Sequence, residues 1–125
     1  MYLLSHPASI DIKEGLSLFT DITEGDRIHL MRGSPDSLVA RAAIVVRDAL
    51  VTSGCCDVTV LGGLVIYCGG CMVHVRDRMG DVASQVSVAM RAPFLGVFTF
   101  GEQGALIDSA NRHGNLMVAA VTFGR

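Results

Sequence analysis

The chain has 125 residues, half of them apolar and 18% charged, with 10 basic and 12 acidic side chains for a net charge of −2. That length holds one domain, residues 1–125, and not two. The apolar content excludes a disordered chain, and the missing basic surplus excludes a general nucleic-acid binder.

Tyr2 to Leu4 reads as a short edge strand that Pro7 ends. Leu16 to Ile22 reads as a strand, and Thr23-Glu24-Gly25-Asp26 as a turn with Gly25 free to take positive φ. From Arg27 to Arg32, Ile28 and Leu30 alternate with Arg27, His29 and Met31, which predicts a half-buried strand and a hairpin. The first helix is expected over about Pro35 to Ser53: Ser34 is the N-cap, Pro35 the first helical residue, and Gly54 the stop. Leu38, Ala42, Val45, Val46, Ala49 and Leu50 form its apolar stripe. Leu64 to Tyr67 reads as a strand buried on both faces, ended by a Cys-Gly-Gly-Cys corner. A second helix lies between Met79 and Arg91, with Pro93 barring its continuation. Phe94 to Phe100 and Leu116 to Phe123, joined by a Gly-rich loop, are apolar on both faces and are expected in the middle of a sheet. The order is (β)ββαβαββ, and the class is α/β, with α+β as the alternative: one mixed sheet, two main helices and right-handed parallel crossovers.

The apolar runs Leu61–Tyr67 and Leu116–Thr122 fall far short of the roughly 20 residues of a membrane helix. The N-terminus has no basic segment of a signal peptide. A cytoplasmic location is expected, with Cys55, Cys56, Cys68 and Cys71 reduced.

Four segments could carry chemistry. Cys68-Gly69-Gly70-Cys71 has the spacing of a thiol-redox pair, and equally that of two small cysteines packed at a tight turn. Cys55, Cys56, Cys68, Cys71 and His74 could be assembled into a zinc set, but Cys55 and Cys56 are adjacent rather than spaced, so no metal site is assigned. In Thr99-Phe100-Gly101-Glu102-Gln103-Gly104 a carboxylate stands between glycines after a strand, placed to accept hydrogen bonds from a ligand or to sit in a solvated turn. His113-Gly114-Asn115 offers donors and acceptors, or is simply turn chemistry. His6 and His29 read as surface residues, and Arg76-Asp77-Arg78 as a solvated loop or an anion contact. No Ser-His-Asp order, phosphate loop or dinucleotide fingerprint is present, so no catalytic residue and no cofactor are assigned.

Taken in order, these segments resemble the C-terminal domain of the FIST family, the F-box and intracellular signal transduction proteins. The resemblance starts at Asp21-Ile22-Thr23-Glu24-Gly25-Asp26-Arg27-Ile28-His29-Leu30-Met31 and continues through Leu64-Val65-Ile66-Tyr67-Cys68-Gly69-Gly70. It is most specific at Gly96-Val97-Phe98-Thr99-Phe100-Gly101-Glu102 and ends near His113-Gly114-Asn115-Leu116. It implies a non-enzymatic cytoplasmic sensory domain that binds small molecules such as amino acids, follows a FIST N-terminal domain and feeds a signalling partner. It also implies Cys68, Gly69, Gly70, Gly101, Glu102, His113 and Asn115 as ligand-binding residues, and Thr99 is taken with them. Cys71 departs from the family's Arg, a residue type that grips carboxylates in pairs of bonds, and Gly114 separates His113 from Asn115. The chain is expected to be a free-standing C-domain, or a piece of one, whose uncovered surface favours a homodimer. The alternatives are a thiol-redox protein using Cys68 and Cys71, and a structural or oligomerisation module without ligand.

Overall fold

The computed structural model describes residues 4–13, 15–52, 59–105 and 111–125. Ser34 and Ser37 cap α1 (Pro35–Thr52) reciprocally. The Ser34 hydroxyl accepts from the Ser37 N–H at 3.2 Å, and the Ser37 hydroxyl accepts from the Ser34 N–H at 2.9 Å. Two donors that the helix cannot satisfy internally are thus met, and Asp36 adds negative charge at the positive end of the dipole. The buried face is Val39, Ala42, Ala43 and Val46, with Leu38, Val45 and Leu50 packed at its margins. The buried centre of the expected stripe is therefore turned by one residue.

β3 (Val60–Cys68) is the middle of a three-stranded sheet. β4 (Phe94–Thr99) pairs with it in parallel, and β7 (Val118–Gly124) antiparallel on the other side. Between β3 and β4 the chain runs through α2 (Gly69–His74), a short 3₁₀ turn at Arg76–Arg78, and α3 (Met79–Met90). Register puts Val65 beside Ala120 and Tyr67 beside Val118, and these side chains meet Val39, Val46, Val86 and Met90 from α1 and α3. Met90 lies against Gly63, where an added Cβ would come within 2.3 Å of the Met90 Cε. The Tyr67 hydroxyl donates to the Leu38 carbonyl at 2.9 Å and ties the centre of the sheet to the start of α1.

Helices seal one face of this sheet. Among the described residues nothing covers the other face, where Leu95 is 64%, Val121 48% and Phe123 57% exposed. Two hairpins complete the fold: β1 (Pro7–Asp11) with β2 (Gly15–Leu18), and β5 (Glu102–Ala105) with β6 (Asn111–Gly114). No helix among the described residues is long and apolar enough to cross a membrane.

The class is α/β, as the sequence predicts, but several elements differ. β4 and β7 are edge strands, not central ones, because two-sided apolarity reports what touches the faces and not how many neighbours a strand has in the sheet plane. Leu64 and Ile66 are only half-buried, since nothing described covers that face. The turn at Thr23–Asp26 forms, with Gly25 at φ +97° and the Asp26 N–H donating to the Thr23 carbonyl, but Arg27 to Arg32 is no strand. Its alternation meets no partner strand among the described residues, and the first hairpin forms earlier, where Pro7 begins a strand instead of ending one. Among the described residues there is one parallel crossover, from β3 to β4, because β2 pairs with β1 and stays out of the main sheet. The expected Gly-rich loop after Phe100 contains the β5–β6 hairpin, and the Cys-Gly-Gly-Cys corner opens α2. Arg78 is not a solvated loop residue: it bonds Asp36 at 2.6 Å and Asp81 at 3.2 Å. Tyr2, Ser53, Gly54, Cys55 and Cys56 lie outside the described residues.

Candidate functional site

β3 ends at Cys68, whose N–H donates to the Met117 carbonyl at 3.2 Å. The chain then turns into α2 through Gly69, which is buried so tightly that a Cβ would meet the Phe100 ring at 3.2 Å and the Thr99 carbonyl at 3.3 Å. β4 passes into β5 through Gly101 at φ +101°, a conformation that disfavours any side chain. A Cβ there would come within 2.5 Å of the His113 Nε2, so the imidazole rests on the glycine. Leu116, between β6 and β7, holds φ 55° without being glycine, a strained backbone of the kind that gathers at functional sites.

Glu102 fixes these turns to one another. It is 1% exposed. Its Oε1 accepts from the Thr99 hydroxyl at 2.9 Å and its Oε2 from the Met117 N–H at 3.3 Å. One carboxylate thereby joins the end of β4, the start of β5 and the approach to β7. The N-terminal segment arrives through Asn115: its N–H donates to the Leu4 carbonyl at 3.2 Å, and its Oδ1 accepts from the His6 N–H at 3.5 Å. His6 in turn stands beside Phe19, ring centres 5.8 Å apart.

These contacts enclose a cavity of about 410 Å³ lined by His6, Phe19, Cys68, Gly70, Phe100, Gly101, His113, Asn115 and Leu116. Cys68, Gly70, Gly101, His113 and Asn115 were candidates from sequence. Gly69, Thr99 and Glu102 stand behind the lining as its support. His6, Phe19, Phe100 and Leu116 were not foreseen as site residues, and His6 is no mere surface residue. Phe100 and Leu116 adjoin candidate residues and could have been included. His6 lies 109 positions from Asn115, and nothing local announces that contact. A second hollow of about 440 Å³ runs along the β5–β6 hairpin, and of the candidates it touches only His113.

Cys68 and Cys71 are buried free thiols. Burial pushes the Cys71 thiol up to about 12, and the neighbouring Cys68 and Glu102 add to the shift. Tyr67 rises to about 12 for the same first reason, with Cys71 and Cys68 contributing. Cys71 is therefore a neutral thiol at ordinary pH, whereas thiol-disulfide exchange needs a thiolate. Among the described residues no three His, Cys, Asp or Glu side chains stand where they could hold a metal ion.

The model of the family described as FIST C domain matches residues 1–105. The chain belongs to this family. No curated protein and no solved structure matches it. FIST C domains are associated with signal transduction and are sensory or signalling modules, not known enzymes. The matched span of this FIST C domain carries Cys68, Gly70, Phe100, Gly101 and Glu102, while His113, Asn115, Leu116 and β7 follow it. Both parts are needed for the cavity, because β7 is the strand that brings Met117 to Glu102 and Cys68.

Proposed function

We propose that this FIST C domain is a non-enzymatic sensor of a cytoplasmic signalling protein and binds a small-molecule metabolite in the Cys68–Asn115 cavity. One observation carries the reading: four stretches far apart in sequence converge on one hollow, and a buried, hydrogen-bonded carboxylate ties two of them together. The volume of about 410 Å³ falls within the ~300–1,000 Å³ of small-molecule sites. Aromatic and aliphatic walls with few polar groups are the usual composition of such pockets. The open apolar sheet face belongs to the same reading, as a surface for a second copy, or else for a FIST N-terminal domain or signalling partner.

The experiment is a thermal-shift screen with amino acids and metabolites, followed by amide chemical-shift mapping of any hit. A ligand should raise Tm and move the Gly70, Gly101 and Asn115 amides. A folded chain that responds to no compound at these amides overturns the proposal. Light scattering that gives one chain per particle at high concentration removes the second copy from it.

A further inference from the structure

The described lining of the cavity holds no carboxylate, guanidinium or ammonium, and its two imidazoles are those of His6 and His113. The acid behind the wall, Glu102, is 1% exposed and already accepts from Thr99 and Met117. An ammonium group entering here meets no carboxylate, and a carboxylate meets no guanidinium or ammonium. Taking either out of water without a counter-charge opposes binding strongly.

What the cavity does offer is specific. The His6 Nδ1–H donates to the Pro7 carbonyl at 2.5 Å, so whenever the imidazole is uncharged its Nε2 is the acceptor. Asn115 uses its Oδ1 on the His6 N–H, which leaves the amide NH₂ as a donor. Phe19 and Phe100 are 61% and 91% exposed, so their rings stand at the open side with uncovered faces. A flat aromatic molecule would cover them in offset or edge contact, and Leu116 and the Cys68 thiol supply apolar wall behind it.

From this we infer that the site takes a small uncharged aromatic compound with one N–H or O–H donor, an indole or a phenol, and rejects free α-amino acids. The inference deepens the sensor proposal and rests on it. The donor meets the His6 Nε2, the ring lies against Phe19 and Phe100, and the zwitterionic end of an amino acid has no place to be neutralised.

Matched probes test it on the full chain. Indole and 4-methylphenol carry the rings of L-tryptophan and L-tyrosine without their charged ends. Titration of the ¹⁵N-labelled protein should show the two bare rings moving the Gly70, Gly101 and Asn115 amides, with Kd at least about tenfold below that of the matching amino acid. His6→Phe, which keeps a ring beside Phe19 and removes the acceptor, should weaken 4-methylphenol about fivefold and leave toluene unchanged. An unperturbed spectrum away from the site confirms that the variant is folded. Amino acids binding as tightly as their bare rings would overturn the inference and leave the sensor reading standing. If neither indole nor 4-methylphenol moves those amides, the inference falls, and the broader metabolite screen alone decides whether the cavity binds anything.

Discussion

Glu102 joins three segments through two hydrogen bonds, so its replacements separate support from space. Glu102→Ala strips the acceptor from the Thr99 hydroxyl and the Met117 N–H and leaves a hole, and should cost about 3 kcal/mol. Glu102→Gln keeps the volume and one oxygen and should cost about 1 kcal/mol. Urea midpoints of the two variants check this, and equal losses would show that the hydrogen bonds are not the cause. Gly101→Ala acts through backbone and space together. Its φ of +101° strains any side chain, and the methyl would collide with His113. The variant should lose about 1–2 kcal/mol and bind cavity ligands more weakly, because the imidazole must move. Gly101 and Glu102 were legible as candidates, a carboxylate between glycines at a strand end, with a ligand contact and a solvated turn equally open. That the carboxylate would turn inward was not, because its donors, Thr99 and Met117, are an ordinary strand residue and an unremarked backbone amide.

At the scale of elements, legibility followed the strength of local signals. α1 was legible because Ser34, Pro35 and Asp36 mark its start and a periodic stripe follows, and α3 because Pro93 stops it. β3, β4 and β7 declare themselves by β-branched and aromatic content. β6 reads Asn-Arg-His-Gly and β1 Pro-Ala-Ser-Ile-Asp, and neither resembles a strand until its partner supplies the ladder. α2 is hidden by Gly69 and Gly70, which are needed for close packing against Phe100 and disfavour a helix on propensity alone. The reverse error at Arg27 to Arg32 has the same root, because alternation describes a face and a strand also needs an edge to join. Capping is the element-scale term with a clean test. Ser34→Ala removes one member of the reciprocal pair with Ser37 and should lower stability by about 1 kcal/mol, while Ser34→Asp, which still accepts from the Ser37 N–H, should retain it. Chemical denaturation of the two variants decides between a working cap and an idle one.

Across the whole molecule, the helices and one sheet face enclose the core, and at the sheet's end that core contains ionisable groups, among them Tyr67 and Cys71. Both are held above their ordinary values by burial: Cys71 from 9.0 to about 12, Tyr67 from 10.0 to about 12. Below about pH 9 folded and unfolded chains bind the same protons at these sites, and their contribution to stability is complete. Above it the unfolded chain releases the Cys71 proton first and the Tyr67 proton next, while the folded chain keeps both. The unfolded state then binds fewer protons, so unfolding free energy falls as pH rises, steadily through the window up to about 12. Urea midpoints measured from about pH 8 to about pH 10.5 should therefore decline. Cys71→Ala should start from lower stability, because it leaves a small hole in the core, yet decline less steeply over the early part of that window. A parallel decline in both proteins would mean that Cys71 ionises as freely in the folded chain as in the unfolded one, and with that the argument against a reactive thiol at this corner would fail.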